Sequence, residues 1–163
     1  MNQVKAVKFV LLWDQEKSLY HEKIIDFWKK LQALPANTAA EDRLKEVVYV
    51  AVSQGEIIGV NTAIEAKVPH LSNGLFMNYR ILIHPKFRIP GLVDKMGVLT
   101  IQYFDQLYQT GAIRSLGVIT LIENQWYKEN RREAVWPSTG LTYVGDSAAG
   151  HHIRLRYFEG AKF

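Results

Sequence analysis

The sequence contains no cysteine, which excludes disulfides, thiolate nucleophiles and cysteine-based zinc sites together. That fits a reducing cytoplasm, the expected location. Long apolar runs are also missing. The N-terminal run from Phe9 to Trp13 stops at Asp14. It is far shorter than a signal-peptide core or a membrane span, so no membrane association is expected. No Gly-Lys-Ser or Gly-Lys-Thr phosphate loop occurs, no Gly-x-Ser-x-Gly elbow and no His-Glu-x-x-His pair. Those motifs would have marked nucleotide, serine-hydrolase or zinc-protease chemistry. Charge is not massed either. The formal net charge is +4, and the basic residues are scattered. This suits an acidic partner such as a nucleotide-like cofactor or an acidic carrier protein, and it argues for a mixed surface over a nucleic-acid face.

What is present is an ordinary apolar fraction, 48% of 163 residues. That is enough for one domain, residues 1–163, with a sizeable core. No repeat, low-complexity tract or linker interrupts it. Val4 to Trp13 reads as a first strand, apolar enough to be buried on both faces. Ser18 is placed to cap a helix running to about Leu34, with Pro35 closing it. Its apolar positions are Leu19, Ile24, Phe27, Trp28, Leu31 and Leu34. Thr38 is placed to cap a short helix over Glu41 to Lys45. Val47 to Ser53 and Glu56 to Ala66 form a hairpin around Gly55. After a loop with Pro69 and Asn73-Gly74, Leu75 to Ile83 is the fourth strand. The next helix carries Leu92, Val93, Met96, Leu99, Tyr103, Phe104 and Leu107 on one face and ends at Gly111. Leu116 to Ile122 is the fifth strand, and Glu123 to Val135 reads as a charged helix ended by Trp136-Pro137. Leu141 to Val144 and Ile153 to Phe158 are the last strands, joined by a small-residue loop, Gly145 to Gly150. Strands and helices alternate only in the middle. This predicts an α/β (α+β) mixed sheet with helices on both faces.

The stretch from Ile81 to Val93 organises the rest. An apolar strand ends at Pro85, a basic glycine-bearing turn follows, and a helix begins. Unpaired amides and the positive helix end then point at one spot, an anion site. Arg88 adds a fixed charge with several donors. A phosphate-bearing ligand is the expected occupant.

The order strand, two helices, three strands, helix, strand, helix, two strands resembles the GNAT superfamily of acyl-CoA-dependent N-acyltransferases. Ile81-Leu82-Ile83-His84-Pro85 looks like the family's strand end and proline. Arg88-Ile89-Pro90-Gly91-Leu92-Val93 looks like its pyrophosphate loop, Arg or Gln, two residues, Gly, one residue, Gly or Ala. Trp136-Pro137-Ser138-Thr139-Gly140-Leu141 resembles the late Tyr, three residues, Gly-Phe segment. The hairpin from Val48 to Ile64 is typical of the two strands upstream. The resemblance implies a central, mostly antiparallel sheet of about seven strands with a splayed parallel fourth and fifth pair. It implies acetyl-CoA or another acyl-CoA as co-substrate and no metal. The pantetheine arm would pair with Ile81, Leu82 and Ile83, and the turn from Arg88 to Val93 would hold the pyrophosphate. Asn124 matches the asparagine that often contacts the cofactor, with Asn130 as its rival. The acceptor would be a small-molecule or peptide amine, and a homodimer is allowed for.

Three departures from the family pattern sit in the loop. Pro90 has no amide hydrogen, Val93 replaces a small residue, and Asp94 brings a negative charge that Lys86, Arg88 and Lys95 oppose. Two more sit at the chemistry. The slots of the family's base fall on Met77 and Tyr79, and that of its acid on Trp136. A phenol near pKa ~10 is a poor base unless shifted, and an indole only donates. Tyr79, or Glu65 or Glu123 acting through water, are the candidates to take the amine proton; Tyr127 or Tyr143 are the candidate acids. His151-His152 carries no third ligand, so no metal is expected. Arg154 and Arg156 share a face of the last strand and read as solvated, with an acidic substrate as the other possibility. Beside the enzyme stand two rivals: a non-catalytic module of the same fold that binds acyl-CoA or a protein, and an acyltransferase charged by an acidic carrier protein.

Overall fold

The computed structural model describes residues 6–16, 19–68, 71 and 73–161. In chain order the elements are β1 (Lys8–Leu11), α1 (His21–Lys30), α2 (Ala40–Leu44), β2 (Val47–Ser53), β3 (Glu56–Val68), β4 (Gly74–Ile83), α3 (Leu92–Gln109), β5 (Gly117–Ile122), α4 (Gln125–Asn130), β6 (Thr142–Asp146) and β7 (His152–Tyr157). The seven strands form one sheet in the order β1-β2-β3-β4-β5-β7-β6. The β1–β2, β2–β3, β5–β7 and β6–β7 pairs are antiparallel, and β4 runs parallel to β5. This is the mixed sheet the sequence predicts. Among the described residues no helix is long and apolar enough to cross a membrane.

The chain forms two compact units, Met1–Ala63 with Ile81–Met96, and Ile64–Arg80 with Gly97–Phe163. In the first, the hairpin turn takes positive φ at both Gln54 (52°) and Gly55 (76°), which matches the twist of the flanking strands. The ladder then slips between Ala51 and Val52: Val52 faces Ile57, while Ala51 faces Gly59. The extra residue, Ile58, resets the alternation. Ile57 and Val60 therefore pack with Ile24, Phe27 and Trp28 of α1. Ile58 turns to the other face, with Ala51, Ile83 and the first turn of α3, Leu92 and Met96. Helices thus cover both faces of this part of the sheet. Gly59 makes the second contact possible, since a Cβ there would lie 2.6 Å from Ile83 Cδ1 and 3.4 Å from Met96 Sδ.

Several boundaries differ from expectation. The described part of the first strand is the edge strand Lys8–Leu11, exposed at Lys8 and half-buried after it. Its alternate residues pack to both faces, Val10 and Leu12 on the α1 side and Val7 and Phe9 on the α3 side, although most are only half-buried at the edge. Helix α1 starts at His21 behind Tyr20, which makes no side-chain cap, and Leu19 is 83% exposed. The helix stops at Lys30, because Gln32 enters the left-handed region at φ 51°, ahead of Pro35. Ser18 and Pro69 lie outside the described residues. Helix α2 is preceded by Ala39, so Thr38 does not cap it.

In the second unit, α3 ends as expected. The Ala112 amide reaches Leu107 O and the Gly111 amide Tyr108 O, with Gly111 at φ 77°. This double bond pattern satisfies carbonyls the helix end would orphan. Strand β5 pairs along its whole length with β7, from Gly117 opposite Tyr157 to Ile122 opposite His152. At Gly117 the strands approach so closely that a Cβ would fall on the Arg156 carbonyl oxygen and 2.8 Å from Tyr157 Cα.

The largest correction concerns Arg154. Its face reads as solvated, yet the residue is 1% exposed. Its guanidinium donates to Leu141 O (3.1 Å), Arg131 O (3.1 Å) and Glu133 O (2.8 Å). It lies 4.2 Å from the Trp136 ring centre. Burial lowers its pKa from the ordinary value; Glu133 opposes that shift and Arg131 adds to it. The guanidinium stays charged regardless. Helix α4 covers only Gln125–Asn130 and not Glu123 to Val135: Arg131 leaves helical geometry at φ -118°, ψ 64°, and the carbonyls of Arg131 and Glu133 turn to the guanidinium. Val135 instead bridges Thr142.

Two stability outcomes follow from these contacts. Arg154→Ala removes the donor to Glu133 O, takes a second donor from Leu141 O and Arg131 O, which keep the Trp136 amide and indole, and is expected to cost about 2 kcal/mol or more in urea unfolding. A loss under about 1 kcal/mol would mean that water replaces the guanidinium. Gly117→Ala is expected to cost at least about 2 kcal/mol, because its clash is with backbone and not with a movable side chain.

Candidate functional site

The candidate residues fall into two groups. Ile81, Leu82, Ile83 and the turn Arg88 to Val93 belong to the first unit, while Glu65, Tyr79, Asn124 and Tyr127 belong to the second.

In the first group, β4 ends where the His84 amide bonds Ile58 O at 2.8 Å. Leu82 packs on the α1 side, and Ile81 and Ile83 on the α3 side. A single 3-10 turn over Pro85–Phe87 follows, with His84 Nδ1 accepting from the Lys86 amide at 3.1 Å. His84 is thus a turn cap. The Ile89 amide closes back on Phe87 O (2.8 Å) and the Leu92 amide on Ile89 O (3.3 Å). Gly91 holds φ 86° with open space where a Cβ would stand. That left-handed residue turns the chain into α3, and burial of Leu92 and Met96 fixes the direction in which α3 leaves. The Lys95 amide makes the first bond inside the helix, to Gly91 O (2.9 Å). Among the described residues the amides of Gly91 and Val93 donate to nothing in the chain, and the exposed guanidinium of Arg88 has no partner. Pro90 supplies no donor and is exposed, and Asp94 occupies the first helical turn. The turn therefore offers two amides, one guanidinium and the positive end of an 18-residue helix, against one carboxylate.

In the second group, the β4–β5 ladder registers Met77 with Val118 and Asn78 with Ile119. One residue on, the Thr120 hydroxyl donates to Tyr79 O at 3.0 Å. Tyr79 is 4% exposed, and its hydroxyl would be 3.4 Å from a Cβ on Gly97, so that glycine makes room for the phenol. The exposed carboxylate of Glu65 accepts from the buried Ser115 hydroxyl at 2.9 Å. Asn124 caps α4, its Oδ1 accepting from the amides of Trp126 (2.9 Å) and Tyr127 (3.4 Å). Its rival Asn130 donates within α4, to Trp126 O. Tyr127 is half-buried, 5.2 Å from Trp126 and 6.2 Å from Trp136 between ring centres.

The two replaced slots are occupied by packing. Met77 is 2% exposed. Trp136 is 5% exposed, donates its indole N–H to Arg131 O (2.9 Å) and faces the guanidinium groups of Arg131 and Arg154. Tyr143 is exposed and donates to Asp146 Oδ1 at 2.8 Å. That bond, then burial, then the carboxylate's charge raise its pKa from the ordinary value, so it gives up its proton less readily. Among the described residues no three of His, Asp and Glu gather to hold a metal.

Sequence reasoning missed Ser115, Thr120, Gly97 and the burial of Arg154. Only Arg154 carried a signal, an arginine between Ile153 and Leu155 in an apolar strand.

No known family profile matches the chain, and no curated protein sequence matches it. Solved structures do. The ribosomal-protein-S5-alanine acetyltransferase of Vibrio fischeri superposes with a TM-score of 0.64 at 11% identity, over 99% of this chain and 98% of that one. The yncA protein of Salmonella typhimurium, solved with its cofactor acetyl-CoA, gives 0.62 at 14% identity over 96% of each chain. A GNAT-family acetyltransferase of Streptococcus pneumoniae gives 0.58 at 9% identity, over 94% of this chain and 99% of that one. With its seven-stranded mixed sheet and parallel β4–β5 pair, the chain therefore has the GNAT fold.

Proposed function

We propose that this chain, as one domain over residues 1–163, is an acyl-CoA-dependent N-acyltransferase that moves an acyl group, most simply acetyl, to an amine. The observation that carries the reading is the turn from Arg88 to Val93. Its unspent amides at Gly91 and Val93 and its unpaired guanidinium at Arg88 stand at the start of α3, donors suited to a diphosphate. Ile81, Leu82 and Ile83 would lie along the pantetheine arm, with Ile89, Pro90 and Leu92 shaping the turn. Asn124 would add a polar contact through its amide group while its oxygen caps α4. Two neighbours' names bear on the chemistry. The yncA structure holds acetyl-CoA, and the Vibrio fischeri protein is named for acetylating an alanine of a ribosomal protein. A peptide or small-molecule amine is the acceptor class, and the cytoplasm is the setting.

The reaction is direct attack. The amine nitrogen forms a bond to the thioester carbon, the C–S bond breaks, and coenzyme A leaves as a thiolate. One proton must leave the amine and one must reach the sulfur. Glu65, held by Ser115, or the buried phenol of Tyr79 takes the first proton. Tyr127 gives the second. A second reading is a module that binds acyl-CoA or a protein without turnover. It is favoured by the burial of Met77 and Trp136 in the slots where the family's base and acid are expected.

Arg88→Ala is expected to weaken acetyl-CoA binding by about 1–3 kcal/mol in titration calorimetry. Unchanged affinity would remove the pyrophosphate role of the turn. Gly91→Ala is expected to strain the left-handed turn by about 1–2 kcal/mol and to weaken the same binding, although the methyl itself meets nothing. In a thiol-release assay across an amine panel, Glu65→Gln and Tyr127→Phe should each lower kcat by about a hundredfold. Binding without any thioester loss would leave the module.

A further inference from the structure

A shallow cavity of about 270 Å³ lies beside α4, lined by Gln125, Lys128, Glu129, Arg132, Gly150 and His152. All six belong to the second unit, and none of the roles above uses them. Gln125, Lys128 and Glu129 share one face of α4, and Arg132 joins them from the segment just beyond the helix end. The neutral member is spent, since Gln125 donates to Glu129 Oε1 at 2.8 Å. Lys128 Nζ is drawn across the cavity wall to Gly150 O at 3.2 Å. A carbonyl orients an ammonium but does not cancel its charge. Gly150, at φ 82°, closes the turn from Ser147 with its amide on Ser147 O, and presents no side chain there. Arg132 is exposed and, among the described residues, has no hydrogen bond or ion pair. His152 has two further neighbours: Nε2 lies 3.9 Å from Asp146 Oδ1 and its ring meets Tyr143 edge-on at 5.1 Å. Two permanent cations and an imidazole thus share one recess with a single carboxylate, which is already bonded to an amide.

We propose that this recess is a binding site for a compact oxyanion group, the carboxylate or phosphate of a small ligand, held chiefly by Lys128 and Arg132. Its volume admits such a group with a few atoms attached, near the lower end for small-molecule pockets. Arg132 supplies the planar fork and Lys128 a pre-positioned point charge. The site stands independently of the coenzyme reading, because it shares no residue with the turn at Arg88 to Val93.

The test is an amide NMR titration of the full chain with sodium phosphate and, separately, with sodium succinate. Sodium chloride at matched ionic strength is the control. Saturable shifts are expected at the amides of Gln125, Lys128, Glu129 and Gly150, with a dissociation constant of about a millimolar. The ion that saturates at lower concentration names the source. Arg132→Gln and Lys128→Gln should each weaken this response about tenfold with an unchanged melting curve. Arg88→Ala should leave it intact, which separates this recess from the coenzyme turn. Shifts that do not saturate, that chloride reproduces, or that survive both substitutions at Lys128 and Arg132 would overturn the proposal.

Discussion

Every backbone carbonyl that leaves a ladder must find another donor or face water, and two of the side chains that meet that requirement here stand out. At β4 the parallel ladder reaches Asn78, and the Thr120 hydroxyl takes the next carbonyl, that of Tyr79. Around the β6–β7 hairpin the Arg154 guanidinium collects the carbonyls of Leu141, Arg131 and Glu133. The first bond ties β4 to β5 beyond the last registered pair. The second ties the segment after α4 to β7. In both cases one side chain holds backbone that lies outside the registered pairs.

The turn at Arg88 to Val93 obeys the same rule with the opposite outcome. There the donors are in excess. The slip at Ile58 sends that side chain to the α3 face, and Gly59 admits Ile83 and Met96 against it. Packing thus fixes where α3 begins, and Gly91 sets the direction of approach. Among the described residues the amides of Gly91 and Val93 are left without a partner in the chain. Donors held this way would need little reorganisation to meet an anion, which is what the proposed coenzyme role requires. Chemistry is less clearly written. The positions where a base and an acid are expected hold Met77 and Trp136, both packed into the interior. Any proton traffic has to use groups off those positions, which is why Glu65, Tyr79 and Tyr127 carry the catalytic reading.

Much of the architecture was legible in the residues. The hairpin at Gly55, the fourth strand, the basic turn, α3 and its stop at Gly111 depend on local rules: period, left-handed glycine and helix-end hydrogen bonding. Each operates within a few residues, so the sequence alone determined them.

Tertiary structure alone decided the rest. The described part of the first strand packs residues to both faces, as its apolar run suggested, but that it lies at the edge is a property of the sheet. Glu123 to Val135 had the composition of a helix, yet Arg154, more than twenty residues away, claims the carbonyls of its second half. The same arginine looked solvated because alternation along β7 says which residues share a face and not what covers that face. Long-range burial of charge leaves no local pattern, since its partners are backbone groups that every residue carries.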